Sequence, residues 1–354
     1  MDFLNSTKLL HHPEHYKEWF ETGQTHGPIS VKLDLTNICN HSCPGCSDQS
    51  VIENNNEILN IELIDEVLTD LRIKLGVKSI QLTGGGEPTS YSDFEKVVKI
   101  AKNLDLQIGL ITNGSLLHKI NLEEVVPALQ WIRISLDSYD QASYERTHGK
   151  QAQFSRTIQN LKDLLRIRSS LTSKTIIGAS FITGLNPLSD KGILEFIALS
   201  KSLGVNYAQV KPNMFAPKSD LHNPLMLQLL IDNLKSAEQF SNENFKVVID
   251  YDKYRKVFGE ASHQNYNTCH FQAISGLTIG ATGDVHMCCN LQTPEGFVGN
   301  VKKSSVDEIW HGKIRKSKQR SLCVHKCPSL CVGDRVNESL EAIKSSTPSC
   351  SNFI

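Results

Sequence analysis

Short apolar runs rich in β-branched residues alternate with longer amphipathic segments in the first part of the chain. The short runs are predicted strands at residues 31–35, 79–82, 107–111, 132–136, 176–181 and 207–210. The longer segments have helical periodicity and are predicted helices at residues 61–75, 94–101, 158–167 and 191–203. Strands separated by helices indicate a parallel sheet covered by helices. Six such units, rather than eight, predict an α/β fold of the partial (β/α)6 TIM-like barrel type.

The pattern breaks after the sixth predicted strand. Prolines cluster at Pro212, Pro217 and Pro224, after which residues 225–240 predict a helix and 245–251 a short strand. From Cys269 onward the chain is rich in glycines, turns and cysteines. We therefore predict three parts: a helical N-terminal extension (1–30, with a helix at 16–21), a barrel (31–240), and a linker with a small cysteine-rich domain (241–354).

Charge and hydropathy exclude several classes of partner. The 354 residues include 37 basic and 38 acidic side chains, a formal net charge of -1, so nothing indicates a nucleic-acid partner. No window approaches the roughly 20 apolar residues that span a membrane. The N-terminal residues lack the basic and apolar regions of a signal peptide. We expect a cytoplasmic protein whose ten cysteines serve metal binding or chemistry rather than disulfides.

Three cysteines follow the first predicted strand with the spacing C-x3-C-x2-C: Cys39, Cys43 and Cys46. Loops after the strand ends are where parallel β/α folds place their chemistry. Three thiolates on one loop can hold three irons of a 4Fe–4S cluster and leave the fourth iron open to a small molecule. Structural zinc is the alternative, because C-x2-C pairs favour it and His41 lies inside the loop, although zinc normally needs a fourth nearby ligand.

A glycine-rich element follows the second predicted strand, with Gly84, Gly85 and Gly86 directly before Glu87 and Pro88. Consecutive glycines let the backbone approach a ligand closely. The adjacent carboxylate can support binding of an ammonium group. An ordinary turn between a strand and a helix is the alternative interpretation of this element taken alone.

Together, these two elements resemble the radical S-adenosylmethionine (SAM) superfamily, and the resemblance extends through about residue 215. The family's cysteine loop matches Cys39, Cys43 and Cys46, and its glycine–glycine–glutamate–proline element matches residues 85–88. Later landmarks are the Thr-Asn-Gly at 112–114 and the Ser-Leu-Asp-Ser at 135–138. The segment at 182–185 is similar in a looser way.

The resemblance implies which residues contact SAM. The predicted contacts lie after successive strands: Gly84, Gly85, Gly86, Glu87, Asn113, Ser135, Asp137 and Ile182. Among them the Gly85–Gly86 backbone is expected to meet the methionyl amine, and Asn113 and Ser135 to meet the carboxylate and the ribose. One position departs from the family, which usually has an aromatic residue before the last cysteine. This chain has Gly45 there, so adenine contacts have to come from elsewhere.

The resemblance also implies a reaction type. In the family, SAM chelates the open iron, and one electron from the reduced cluster converts it into methionine and a 5′-deoxyadenosyl radical. That radical abstracts a hydrogen atom from an unactivated C–H bond, while the protein supplies position and excludes side reactions. An electron donor such as a flavodoxin or ferredoxin is therefore an expected partner.

The C-terminal cysteines form a second pattern. Cys269 is followed by Gly283 after thirteen residues, and Gly283 by Cys288 after four. This spacing resembles the auxiliary-cluster modules called SPASM and twitch. The resemblance implies an auxiliary 4Fe–4S cluster with four thiolate ligands, which we expect to be Cys269, Cys288, Cys327 and Cys331. A second auxiliary cluster that uses Cys323 and Cys350 is the alternative.

Three further residues are candidates for substrate chemistry. Cys289 adjoins a predicted cluster ligand and could return a hydrogen atom to a substrate radical, although a buried structural cysteine is an equal alternative. Arg133, which precedes Ser135, and Lys211, which follows the sixth predicted strand, are candidates for lining the pocket.

The leading functional prediction is a radical SAM enzyme that oxidises or epimerises a sugar, aminocyclitol or nucleotide-like small molecule. The first alternative is a radical SAM maturase that epimerises or crosslinks a ribosomal peptide. A modest argument favours the small molecule, because thirty N-terminal residues are too few for a peptide-binding domain. The second alternative is a non-catalytic iron–sulfur or zinc protein.

Overall fold

The computed structural model describes residues 6–46, 56–184, 192–213, 224–257, 266–324, 327 and 331–345. The strands are β1 (Ser30–Asp34), β2 (Ser79–Thr83), β3 (Gln107–Thr112), β4 (Trp131–Ser135), β5 (Ile176–Thr183), β6 (Tyr207–Pro212), β7 (Lys246–Ile249), β8 (Thr278–Ile279), β9 (Asp284–His286) and β10 (Phe297–Asn300). The α-helices are α1 (Pro13–Thr22), α2 (Ile61–Thr69), α3 (Phe94–Asn103), α4 (Leu122–Val125), α5 (Gln141–His148), α6 (Phe154–Ser170), α7 (Ile193–Leu203), α8 (Pro224–Glu238), α9 (Tyr251–Val257), α10 (Phe271–Ile274), α11 (Val306–His311), α12 (Lys313–Ser321) and α13 (Asp334–Ser345).

The six predicted barrel strands are present and pair in chain order. Strands β1 to β6 are parallel neighbours, with Leu33 opposite Leu82 and Ser135 opposite Ser180 as examples of the register. Strand β7 continues the sheet in parallel beside β6. The predicted parallel α/β architecture is therefore confirmed.

The C-terminal hairpin joins the same sheet at its other edge. Strand β8 pairs in parallel with β1, and β9 and β10 follow as antiparallel neighbours. The described strands thus form one sheet in the order β10-β9-β8-β1-β2-β3-β4-β5-β6-β7. This pairing holds the cysteine-rich region against the strand that leads into the Cys39–Cys46 loop.

Two predicted elements end at different residues in the structure. The strand expected at 245–251 ends at Ile249, because Asp250 accepts the Lys253 amide at 3.5 Å and starts helix α9. The helix expected at 61–75 is α-helical only to Thr69 and continues as a π-helical turn over Asp70–Lys74.

The sheet curls into a partial barrel. Four strands separate β1 from β6, so a flat sheet would place the two roughly 24 Å apart at about 4.8 Å per strand. Burial is the main cause of the lowered pKa of Lys211 on β6, yet the ammonium of Lys32 on β1 contributes to it. Such an influence requires the two side chains to approach each other across the concave face. The interior of the barrel is therefore lined by side chains from both edges of this six-stranded unit.

Two aromatic rings close the amino-terminal end of the barrel interior. A Cβ atom added to Gly109 on β3 would lie 2.2 Å from the Trp131 ring, and one added to Gly178 on β5 would lie 2.2 Å from the Tyr207 ring. The two glycines are therefore needed for the rings to lie against the sheet. Trp131 and Tyr207 form what we call the barrel floor.

The variant Gly109→Ala is expected to lower the free energy of unfolding by about 2 kcal/mol, because the new methyl group overlaps Trp131. Chemical denaturation of the apoprotein measures the loss. The matched control repeats the substitution in a Trp131→Leu background, where the overlap is removed. An equal loss in both backgrounds would contradict the proposed contact.

The N-terminal helices pack on the C-terminal region. Leu9 lies in a buried cluster with Ala273, Ile274 and Leu340, and Trp19 of α1 packs against this cluster. The Trp19 indole donates to His270 Nδ1 at 2.8 Å, beside Cys269. In the described part of the chain, no helix has the length and apolar composition needed to cross a bilayer.

Candidate functional site

The three loop cysteines lie together just beyond β1. Cys39, Cys43 and Cys46 are all partly buried, and the Cys46 amide donates to the Cys43 carbonyl at 3.1 Å in a tight turn. Burial raises the pKa of the Cys43 thiol, and the nearby Cys39 and Cys46 sulfurs add to the rise. Mutual repulsion of this kind is relieved when thiolates bind a cation or cluster.

A histidine from helix α5 contacts the cysteine loop. His148 Nδ1 lies 3.4 Å from Cys43 Sγ, and its Nε2 lies 3.0 Å from the Leu136 carbonyl oxygen. The Tyr144 ring packs 4.4 Å from the His148 ring, measured between centroids. Burial lowers the pKa of His148 to about 4. The loop is thus anchored to the end of β4 through this side chain.

The donor set around the loop fits an iron–sulfur cluster better than a single ion. A single zinc ion draws its ligand atoms to one point, whereas a cluster holds each thiolate on a different iron. Among the described residues, the ligand atoms that lie within 4.8 Å of one another at this loop belong to His41, Cys43 and His148, not to the three cysteines. The Cys39, Cys43 and Cys46 sulfurs therefore do not all converge on one ion position.

The glycine loop packs directly on the backbone that leads to the cysteines. The Gly86 amide donates to the Thr36 carbonyl at 3.0 Å, and the Glu87 amide to the Ile38 carbonyl at 2.9 Å. A Cβ atom on Gly86 would lie 2.3 Å from the Ile38 carbonyl oxygen. Glycine is required here because any side chain would push the two loops apart.

The Glu87 carboxylate lies beneath this loop and holds neighbouring elements together. It is buried and accepts four hydrogen bonds, at 3.1 Å and 2.6 Å from the Thr89 amide and hydroxyl, 2.5 Å from the Thr112 hydroxyl, and 2.8 Å from the Asn113 amide. Burial raises the pKa of Glu87 in spite of these bonds. The carboxylate therefore connects the end of β2 to the end of β3 rather than facing a ligand ammonium.

Asn113 connects the third strand to the cysteine loop. Its side-chain amide donates to Asn40 Oδ1 at 3.0 Å, and Asn40 in turn donates to the Ser115 hydroxyl at 2.8 Å. Asn40 lies between Cys39 and Cys43 in the sequence. Asn113, a predicted SAM contact, therefore lies beside the loop that carries the predicted cluster ligands.

Asp137 and Ile182 are joined at the ends of β4 and β5. Asp137 has a left-handed backbone conformation (φ 49), and its Oδ1 accepts the Ile182 amide at 2.8 Å. Burial raises the pKa of Asp137, and the ammonium of Lys211 opposes the rise. Ser135 lies two residues earlier, partly exposed, opposite Ser180 of β5.

A cavity of about 430 Å³ lies between the glycine loop and the C-terminal hairpin. Asp34, Asn37 and Gly85 line one side, and residues 280–282 and 292–294 line the other. This volume is in the range of pockets that bind small molecules. The cavity brings together the two regions that the sequence singled out.

The four predicted auxiliary ligands come together beside this hairpin. Burial raises the pKa of Cys331 to about 12, and the Cys269 and Cys327 sulfurs add to the rise. The pKa of Cys288 is raised mainly by its hydrogen bond with Cys289, and Cys331 contributes. Cys331 therefore lies near Cys269, Cys288 and Cys327, and the four thiols are candidates for one site with four thiolate ligands.

Amide groups donate to three of these sulfurs. The Gly333 amide lies 3.3 Å from Cys331 Sγ, the Asn290 amide 3.4 Å from Cys288 Sγ, and the Asn337 side-chain amide 3.8 Å from Cys269 Sγ. Hydrogen bonds to sulfur stabilise thiolates and tune cluster potentials. Cys323 is exposed and close to Cys327, and Cys350 lies outside the described residues.

Cys289 contacts Lys32 inside the barrel. A hydrogen bond with Cys288 and the Lys32 ammonium lower the pKa of Cys289, against its burial. Burial lowers the pKa of Lys32. The negative charges of Cys289 and Asp34 have the larger combined effect, so the pKa of Lys32 is raised. The loop after β9 thus reaches the inward face of β1.

Comparison with known proteins identifies both halves of this arrangement. The family model described as the radical SAM superfamily matches residues 33–200, and the SPASM model, described as an iron-sulfur cluster-binding domain, matches residues 269–333. The chain therefore contains a radical SAM domain followed by an SPASM domain. It is a radical SAM enzyme with an SPASM domain, so SAM and 4Fe–4S clusters, including an auxiliary cluster, are its cofactors. The non-catalytic alternative is set aside.

Curated relatives of this radical SAM enzyme differ in substrate. A probable GTP 3′,8-cyclase of Saccharolobus islandicus is 28% identical over 177 residues, which is 50% of this chain and 54% of the relative. The PqqA peptide cyclase of Bradyrhizobium diazoefficiens is 30% identical over 148 residues, 40% of this chain and 38% of the relative. The chain therefore aligns with about half or less of the length of these relatives.

A solved radical SAM structure matches nearly all of the chain. Streptococcus suis SuiB bound to S-adenosylmethionine superimposes with a TM-score of 0.63 and 15% identity, covering 96% of this chain and 80% of SuiB. At this level of identity the likeness shows the fold.

Sequence reasoning missed one residue of the radical SAM site, Lys32, and one contact, that of His148 with Cys43. Lys32 lies between the buried Val31 and Leu33 on β1, and such a charged residue within a mostly buried strand is a signal that could have been used. The contact of His148 with Cys43 spans residues far apart in the sequence, so only the tertiary structure shows it.

Proposed function

We propose that this radical SAM enzyme epimerises a small polar metabolite of the sugar, aminocyclitol or nucleotide class. The observation that supports the proposal is the position of Cys289, which follows Cys288 in the loop after β9 and interacts with Lys32 of β1.

Each cofactor has residues that fit it. Cys39, Cys43 and Cys46 would hold the cluster that binds SAM, and the Gly85–Gly86 backbone and Asn113 lie beside it. When bound, this cluster and SAM supply the abstraction of a hydrogen atom from an unactivated C–H bond. The protein positions the substrate carbon and excludes water.

Cys289 would complete the epimerisation by returning a hydrogen atom to the substrate carbon radical from the opposite face. The S–H bond breaks, a C–H bond forms, and a thiyl radical remains on Cys289. One electron from a flavodoxin or ferredoxin then reduces the thiyl radical to a thiolate, and one proton from solvent restores the thiol that the next turnover requires.

The test is carried out in deuterated buffer with the reconstituted enzyme, dithionite, SAM and a panel of sugar phosphates, aminocyclitols, nucleotides and short peptides. We expect one compound to gain a single deuterium at an inverted carbon. Cys289→Ser should still form 5′-deoxyadenosine, because Cys289 does not hold the SAM cluster, but deuterium incorporation should fall at least about a hundredfold.

The matched control is Ser304→Ala, which changes an exposed side chain of the same region. It should leave deuterium incorporation unchanged. Full incorporation by Cys289→Ser would overturn the donor role. A wild-type enzyme that forms no 5′-deoxyadenosine with its iron content verified would overturn the proposed reaction altogether.

A peptide substrate is the second candidate and is favoured by the PqqA peptide cyclase among the relatives. A peptide substrate would be supported if the peptides of the panel gained deuterium or a crosslink and the metabolites did not.

A further inference from the structure

Three polar side chains line the barrel interior above its floor. Arg133 of β4 and Gln209 and Lys211 of β6 are partly exposed, while their immediate neighbours on each strand are buried. This alternation places all three side chains on the concave face of the sheet. Arg133 lies two residues before Ser135, so it is deeper in the barrel than the predicted SAM contacts at the strand ends.

The Arg133 guanidinium is only partly satisfied by the protein. One of its terminal nitrogens donates to Gln209 Oε1 at 3.0 Å across β5, where the intervening Gly178 has no side chain. Its Nε atom is buried and makes no hydrogen bond to the described residues. A buried donor atom without an acceptor costs free energy of folding, and an acceptor on a bound molecule would reduce this cost.

The charges around Arg133 favour an anion. Burial lowers the pKa of Lys211, and the nearby Arg133 guanidinium lowers it further. The Asp137 carboxylate opposes this change. The carboxylate that influences Arg133 itself is Asp137, which already accepts the Ile182 amide. The two cations therefore share one carboxylate and repel each other, and an anionic group placed between them would relieve this repulsion.

We propose that Arg133 and Lys211 bind an anionic group of the substrate, a phosphate or a carboxylate, above the Trp131 and Tyr207 floor. The planar guanidinium fits either oxyanion with two parallel hydrogen bonds. The inference rests on the proposed function in placing the substrate inside the barrel. Because Arg133 lies deep in the barrel, the anionic group is the part of the substrate that enters the barrel first.

The test measures binding of two probes, pyrophosphate and glutarate, to the reconstituted enzyme by calorimetry. SAM is kept saturating and no reductant is added. Wild-type enzyme should bind one probe more tightly than the other, which distinguishes a phosphate from a carboxylate site. Arg133→Gln and Lys211→Gln should each weaken that binding by about tenfold or more, because a charge-assisted hydrogen bond is lost. Arg133→Lys should be intermediate.

Arg156→Gln, which removes an exposed guanidinium on α6, should bind the probe as the wild type does. Three outcomes would overturn the proposal: no binding of either probe to the wild type, equal binding by Arg133→Gln and the wild type, or binding of the probe only in a parallel titration without SAM. The last outcome would assign the cations to the SAM carboxylate. Formation of 5′-deoxyadenosine without the probe is measured in parallel, so failure of the radical chemistry is read independently of anion binding.

Discussion

Replacing Cys39, Cys43 and Cys46 together by alanine should reduce 5′-deoxyadenosine formation to background, the largest effect expected for this protein. The three thiols lie in the loop after β1, and their sulfurs do not all converge on one ion position. Without them no protein ligand holds the cluster to which SAM binds. Chromatographic measurement of 5′-deoxyadenosine after reduction with dithionite checks the prediction.

Metal analysis of the same variant gives the matched control. Iron and sulfide should fall from about eight each per chain to about four each, because the auxiliary cluster has its own thiolates. The complementary variant, Cys327 and Cys331 replaced by alanine, should lose the other four and keep those at the SAM site. An iron content of about twelve in the wild type would indicate a second auxiliary cluster. Zinc bound in place of iron at the Cys39–Cys46 loop would contradict the cluster assignment.

Glu87→Ala should lower the free energy of unfolding of the apoprotein by about 3 kcal/mol or more, the largest stability effect expected. The carboxylate accepts four hydrogen bonds from Thr89, Thr112 and Asn113, and its removal leaves these donors buried without a partner. Denaturant unfolding under anaerobic conditions measures the loss.

Two further variants sharpen this prediction. Glu87→Gln keeps the shape and one strong acceptor, so its loss should be smaller than that of the alanine variant. Glu124→Ala removes an exposed carboxylate on α4 and should change stability by less than about 0.5 kcal/mol. Equal stability of Glu87→Ala and the wild type would show that the carboxylate does not connect β2 to β3.

Much of the fold follows from local patterns. The six barrel strands appear within two residues of their predicted ends, because apolar β-branched runs between amphipathic helices leave few alternatives to a parallel sheet. The end of β7 was less predictable. Asp250 stops that strand by capping α9, and a single capping residue is a weak signal within an apolar run.

The site was predictable where its residues are close in the sequence. The cysteine loop and the glycine element are short motifs whose residue types suffice to indicate their chemistry. The role of Glu87 was less clear, since a carboxylate beside glycines can face a ligand or the protein. The burial of Glu87 and its hydrogen bonds to Thr112 and Asn113 depend on the end of β3. These two residues lie 25 and 26 positions further along the chain.

The sequence by itself determined the chemical family of this protein, because cluster ligation and the approach of a backbone to SAM need particular residue types at fixed spacing. Only the tertiary structure decided which side chains share the barrel interior. The curled sheet brings Lys32 close to Cys289 and Lys211, and Arg133 to Gln209, from strands distant in the chain. Such contacts depend on register and curvature, which no local pattern encodes.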